Sequence, residues 1–175
     1  MWISAVVPLT LACSACGGRL DADRAPGSGL PDAQSTDAAA PCDGDGWRRF
    51  DAQGLFEFRA PCTFEGGASD GIDSSVGAYQ AAGIAAAYDY GAFFVNFDGW
   101  EAHQSFTKVA TTLDGRPAFL LTAHDLAPAY GYPYLVAVVV PAVDAHGTKL
   151  SFWGSADSPE RRALLTQVLK SVRFG

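Results

Sequence analysis

Alternating apolar and polar positions predict β-strands over much of the chain beyond residue 46. Short alternating runs at residues 47–50 and 55–60 flank a polar segment that ends in glycine, and this pattern is typical of a β-hairpin. A clearer hairpin is predicted where the dipeptide Asp114-Gly115 separates runs at residues 108–113 and 117–124. Both patterns indicate antiparallel pairing of strands that are neighbours in the chain.

Further segments are apolar enough to be strands. Residues 84–90 and 92–97 lie on either side of a glycine, and residues 149–153 form the last long run. Residues 134–140 are almost purely β-branched and apolar, which predicts a central strand covered on both faces. Residues 65–83 are rich in Gly, Ser and Asp, and we expect a long irregular segment there.

The chain ends in a predicted amphipathic helix. Ser158 is suited to cap it, Pro159 to occupy the first turn and Glu160 to complement the helix dipole. Strands followed by one packing helix predict an α+β fold built on an antiparallel sheet. The apolar positions at helical spacing are Ala163, Leu164, Leu165, Val168, Leu169 and Val172.

Five short motifs carry a resemblance to a known fold. They are FEFRAP at 56–61, GIDSSVGAY at 71–79, YDYG at 88–91, LDGRPA at 113–118 and LKSVRF at 169–174. In this order they resemble the Mog1/PsbP-like fold family, which implies an α/β/α sandwich. Members of that family mostly bind or assemble other macromolecules, and many bacterial ones are lipoproteins. The resemblance therefore implies a binding role and supplies no catalytic motif or cofactor.

The N-terminal residues predict export and a lipid anchor. Residues 2–12 form an apolar run with the length of a signal-peptide core, too short for a transmembrane helix. The following CSACGG, residues 13–18, resembles the lipobox of bacterial lipoproteins, in which a cysteine is diacylated and becomes the mature N-terminus. Cys16, preceded by Ala15, is the preferred lipidation site and Cys13 the alternative. An ordinary cleaved signal peptide is the competing interpretation.

Composition divides the chain into a signal peptide (residues 1–16), an acidic tether (17–46) and one folded domain (47–175). Asp, Ala, Pro, Gly and Ser dominate the tether, so we expect it to stay disordered and extended. An acidic tether behind a lipobox resembles the surface lipoproteins of high-GC Gram-negative bacteria, notably the myxobacteria. The formal net charge of −7 argues against a nucleic-acid partner.

Cys42 and Cys62 are predicted to form a disulfide. If the first hairpin turns between Ala52 and Gln53, then Cys62 faces position 43, one residue away from Cys42 and close enough to bridge. An oxidising compartment outside the cytoplasm favours the bridge over two free thiols.

No group of residues predicts a reaction. His103, His124 and His146 lack the paired spacing of a metal site, and residues 105–108 match the SxxK pattern without its companion motifs. We therefore predict no enzymatic activity, no cofactor and no metal. Two alternatives stay open: a small hydrolase whose Ser/His/Asp site is hidden by sequence order, and a small-ligand carrier with a pocket between the sheet and the final helix.

A run of tyrosines supplies the candidate binding residues. Tyr130, Tyr132 and Tyr134 alternate with Gly and Pro in a bend that cannot bury all three well. Exposed tyrosines are enriched at interfaces, although these could instead cover the sheet edge. Trp100 is a second candidate. The sequence thus predicts a non-catalytic binding or assembly module, lipid-anchored in the cell envelope and facing the periplasm or the cell surface, whose partner is an envelope protein or another macromolecule.

Overall fold

The computed structural model describes residues 40–70, 73–92, 95, 97–125 and 131–175 of the 175. The predicted signal peptide, most of the predicted tether and both candidate lipidation sites, Cys13 and Cys16, lie outside the described residues. Within the part that is described, no helix is long and apolar enough to cross a membrane.

The described elements are mostly strands. In chain order they are β1 (Trp47–Ala52), β2 (Phe56–Pro61), β3 (Glu65–Asp70), β4 (Ser74–Ala81), β5 (Ile84–Gly91), a 3₁₀ helix (Asp98–Ala102), β6 (Gln104–Leu113), β7 (Arg116–His124), β8 (Tyr134–Val140), β9 (Lys149–Ala156), α1 (Pro159–Lys170) and β10 (Arg173–Phe174). The α+β class predicted from the sequence is confirmed, because antiparallel strands dominate and one helix packs on them.

A seven-stranded antiparallel sheet with the order β3-β4-β5-β9-β8-β7-β6 forms the centre of the domain. A smaller sheet contains β1, β2 and β10. Strand β8 lies inside the large sheet, and six of its seven residues are buried, as its apolar sequence predicts. Its side chains alternate between two separate hydrophobic clusters, one on each face of the sheet.

The small sheet and α1 cover the first face of the large sheet. Phe58 of β2 packs edge to face on Phe152 of β9, with the ring centroids 5.0 Å apart. From α1, Leu165 and Val168 have no exposed surface and pack directly into this cluster. Burying each such side chain contributes about 1.5–3 kcal/mol, which explains why α1 forms where its apolar stripe predicts. Ser158 Oγ accepts the capping hydrogen bond from Arg161 N–H.

The second face is covered by Phe97 and the 3₁₀ helix. Phe97 and Trp100 are buried against β7 and β8, in a cluster that includes Leu121 and Leu135. The predicted α/β/α sandwich would place an α-helical layer on this face. In the described residues, the helical element on this face is a 3₁₀ helix of five residues, and the sandwich stays a prediction.

The first hairpin forms, but its predicted register is wrong. Phe50 pairs with Phe58, and the loop is centred on Gly54 rather than between Ala52 and Gln53. Gly54 has φ of 73°, a backbone conformation that glycine adopts without strain, and this fixes the position of the turn. The register is therefore shifted by three residues from the predicted one.

The predicted Cys42–Cys62 disulfide is nevertheless confirmed, with the Cα atoms 5.9 Å apart. The chain before β1 folds back on itself, because Gly46 N–H donates to the Asp43 carbonyl. Cys62 N–H in turn donates to the Gly46 carbonyl. This backbone turn carries Cys42 to Cys62 and compensates for the shifted register.

Two of the expected local structures differ from those observed. Residues 65–83 contain β3 and β4 rather than an irregular segment, because β3 pairs with β4 and β4 also pairs with β5, which satisfies their backbone groups. A Cβ at Gly77 would lie 2.2 Å from Tyr88 Cε1, so this glycine leaves room for a core ring.

The strand expected over residues 92–97 is wrong at Ala92, Val95 and Phe97, which belong to no strand. The chain leaves the sheet there, and Phe97 packs over the second face.

Candidate functional site

An open groove of about 440 Å³ lies on the second face of the large sheet, beside β6. We call it the β6 groove. Its lining comes from the 3₁₀ helix region on one side and from β6, β7, β8 and the residue after β8 on the other. The lining residues are Phe97, Asp98, Glu101, Phe106, Lys108, Phe119, Leu121, Val139 and Pro141.

The floor of the β6 groove follows from strand periodicity and register. Side chains two residues apart on a strand share a face, so Phe119 and Leu121 of β7 point the same way. Phe119 pairs with Val139 of β8, and Leu121 pairs with Lys108 of β6. The pairing therefore brings apolar side chains from separate segments into one continuous surface.

Phe119 is the apolar side chain that this surface leaves in contact with water. It is 36% exposed, and the Lys108 ammonium lies 5.2 Å from its ring centroid. Binding sites are mostly concave and apolar and carry a few polar groups, as this groove does. An aromatic ring at the floor of a groove offers a large contact area to a ligand.

The charged residues of the β6 groove lie on separate elements. Asp98 and Glu101, both exposed, belong to the 3₁₀ helix. Lys108, also exposed, belongs to β6. The lining thus carries two carboxylates on one side and one ammonium group on the other.

The tyrosines predicted to bind a partner lie elsewhere. Tyr132 and Tyr134 are half-buried, and Tyr130 lies outside the described residues. The Tyr134 ring stacks on His124 with the centroids 4.8 Å apart, and it packs against the first-face cluster. Tyr134 begins β8, whereas the groove residue Val139 lies near the other end of that strand. Their binding role stays a prediction.

Trp100 is buried, so the prediction that it binds a partner is wrong. It is 2% exposed and packs edge to face on Phe97 with the ring centroids 4.8 Å apart. It is a core residue of the second face, and it cannot present its ring to a partner as the surface residue that the sequence predicts. Its neighbour Phe97 lines the β6 groove, so Trp100 supports the groove wall from behind.

The histidines have separate local contacts. His103 Nδ1 lies 3.8 Å from Asp125 Oδ1, which is longer than a hydrogen bond, and Asp125 is buried. The His146 backbone N–H donates to Asp144 Oδ1, within a turn. Among the described residues, no group of three or more His, Cys, Asp or Glu side chains is arranged to hold a metal ion.

Two exposed carboxylates have shifted pKa values for local reasons. Thr148, through its hydroxyl and its backbone N–H, donates to Asp144 and lowers the pKa of that carboxyl. The Trp47 N–H, followed by the Arg59 guanidinium, lowers the pKa of Asp45. Both groups stabilise turns, and neither lines the β6 groove.

No protein-family model and no curated protein matches this chain. Among solved structures, the chain is similar to the solution structure of cyanobacterial PsbP (CyanoP) from Synechocystis sp. PCC 6803. The TM-score is 0.49 at 15% sequence identity, over 78% of this chain and 98% of that chain.

Proposed function

We propose that this chain is a non-catalytic binding module of the bacterial cell envelope, and that the β6 groove holds an apolar segment of its partner. The supporting observation is Phe119, which is 36% exposed at the floor of a groove of about 440 Å³. That volume falls within the range of about 300–1,000 Å³ typical of ligand pockets. The groove is large enough for one or two bulky side chains, but it does not enclose them.

The charges of the groove specify the partner further. Asp98 and Glu101 on the 3₁₀ helix favour a positive group next to the bound side chain. On the other side, Lys108 lies over Phe119 and disfavours a second positive group. We propose a protein segment in which a Leu, Met or Phe is adjacent to a Lys or Arg on one side.

The lipid anchor and tether complete the proposal. Lipidation of Cys16, or of Cys13, would hold the protein at a membrane that faces the periplasm or the cell surface. About 25 residues separate Cys16 from Cys42, which the disulfide fixes to the domain. A flexible chain of that length spans roughly 30 Å root-mean-square, so the domain would reach partners beyond the lipid headgroups. We also propose that the domain has a Mog1/PsbP-like fold, and the order of the five sequence motifs supports this proposal.

Photo-crosslinking in native envelopes tests this function. A photoreactive residue is placed at the exposed and uncharged Pro141, which lines the groove after β8, and, as a control, at the exposed Glu160 in the first turn of α1. We expect a discrete adduct from position 141 that is absent from position 160 and is lost on Phe119→Ala. Equal adducts at both positions, no adduct at 141, or an adduct that persists with Phe119→Ala would contradict the proposal.

One observation favours the hydrolase alternative. His103 and the buried Asp125 are adjacent, as the base and orienting acid of a Ser/His/Asp site would be, although 3.8 Å separates the nearest atoms. A fluorophosphonate reagent, which labels activated serines, separates the two functions. Labelling of the full chain that disappears with His103→Gln would favour the hydrolase, and absence of labelling favours the binding module.

A further inference from the structure

The two edges of the large sheet differ in how well they are protected. Strand β3 is six residues long, contains the pair Gly66-Gly67 and carries an acidic residue at each end. Strand β6 is ten residues long, and no strand among the described residues pairs with its outer side. The unpaired N–H and C=O groups of an edge strand form a template for another strand. The edge that can accept one is therefore β6.

The sequence of β6 suits pairing over most of its length. Residues 106–112 read Phe-Thr-Lys-Val-Ala-Thr-Thr, rich in strand-forming side chains with Lys108 as the one charge. The register with β7 shifts between Gln104 and Thr107, and Ser105 has φ of 54°, so the first residues of β6 form a bulge. The regular, pairable stretch therefore begins at Thr107 and continues to the end of the strand.

Val109 is the most exposed large apolar side chain of the described residues, at 55%. It shares one side of β6 with Leu113, which is buried in the first-face cluster, so it points away from the β6 groove. A second strand laid along β6 would cover Val109 without filling the groove.

We propose that β6 pairs with β6 of a second copy of this chain, antiparallel about a two-fold axis at Val109. This register opposes the two Val109 side chains and covers the exposed apolar surface. It places Lys108 opposite Ala110 of the second copy, so no like charges face each other directly. A register centred on Lys108 would oppose two ammonium groups.

The same register extends a contact already present within the chain. Thr107 Oγ hydrogen-bonds Thr122 Oγ on β7, at 2.7 Å. Pairing about Val109 places Thr111 of the second copy beside Thr107, and this continues a row of hydroxyl groups across three strands. The pairing produces one antiparallel sheet running through both copies. One strand pair makes a small interface, so the dimer should depend on concentration.

Cysteine crosslinking of the full chain tests the axis. In the two-fold register Val109→Cys opposes itself, so mild oxidation should give a covalent dimer. The matched control Thr111→Cys faces Thr107 of the second copy and should not crosslink alone, whereas Thr107→Cys with Thr111→Cys should. Absence of the Val109→Cys dimer, equal dimerisation of Thr111→Cys alone, or crosslinking to a different protein would overturn the proposal.

Sedimentation of the unmodified full chain gives a second, independent measurement. We expect the mean mass to rise towards a dimer between about 1 µM and about 1 mM protein. Val109→Lys opposes two ammonium groups at the axis and should abolish that rise while leaving the melting temperature unchanged, because the side chain is exposed. A wild-type chain that stays monomeric over the whole range overturns the proposal. Because the groove lies on the opposite face, neither result bears on partner binding there.

Discussion

Removing the Cys42–Cys62 disulfide should lower the stability of the domain by an amount set by the loop that it closes. The two cysteines are 20 residues apart and enclose the whole first hairpin. In the chain-entropy account, closing a loop of this length stabilises by about 3 kcal/mol, because it restricts the unfolded chain. For a domain of this size that corresponds to a loss of roughly 10 °C in melting temperature.

The structure indicates that the native turn would survive the loss of the bridge. Arg59 pairs with Asp43 at 2.8 Å and with Asp45 at 3.0 Å, and Gly46 N–H donates to the Asp43 carbonyl. These contacts hold the segment before β1 even without the bridge, so the effect should fall mainly on the unfolded state. The expected loss is therefore close to the full entropic value.

Thermal unfolding of wild type and of Cys42→Ser with Cys62→Ser, each with and without reductant, measures this loss. Reductant should lower the wild-type melting temperature to that of the double variant and leave the double variant unchanged. A difference of less than about 2 °C would refute the reasoning, since it would mean that the bridge does not restrict the unfolded chain. An equal effect of reductant on the double variant would show that another group is responsible.

Three further predictions concern the groove wall, acid sensitivity and the anchor. Trp100→Ala should cost about 3–5 kcal/mol in a denaturant titration because the indole is buried, whereas Phe119→Ala should cost clearly less because that ring is partly exposed. Asp144 has a lowered pKa in the folded state, so its contribution to stability is present above about pH 4 and is lost as the pH falls. The melting temperature of Asp144→Asn should accordingly be lower than that of wild type at neutral pH, and the two should converge in acid. Replacing Cys13 and Cys16 by Ser should release the protein from the membrane fraction, and unchanged membrane association would contradict the anchor.

Elements determined by local sequence could be predicted well. The dipeptide Asp114-Gly115 adopts φ of 49° and 76°, the left-handed pair that a two-residue hairpin turn requires, and the second hairpin forms around it. Strand β8 and helix α1 were also predictable, because composition and apolar periodicity dictate them. The disulfide was predicted correctly, but from a hairpin register that proved wrong. The turn before β1, which the hairpin argument did not include, brings the two cysteines together.

Features that depend on tertiary contacts could not be predicted. Strands β3 and β4 have a loop-like composition, and Gly77 is a strand residue because it pairs with both neighbouring strands and leaves room for the Tyr88 ring. The β6 groove joins residues from separate segments between Phe97 and Pro141, and nothing in the sequence of each segment shows that they meet. A signal was available in the alternation of β7, which places Phe119, Leu121 and Ala123 on one side of the sheet. The sequence does not show how Phe97 and the 3₁₀ helix cover the second face, so it could not identify Phe119 as the residue that stays exposed.

The most direct test of the account asks where a segment of the proposed chemistry binds. The measurement is the backbone amide chemical-shift change of the labelled full chain on titration with a short peptide that carries one Leu followed by Lys. We expect the shifts to cluster at the β6 groove around Phe119, Leu121 and Val139, and to vanish with Phe119→Ala and with a Glu in place of the peptide Lys. No shifts at all, or shifts that cluster at Tyr132 and Tyr134 instead, would contradict the claim that the groove is the binding site.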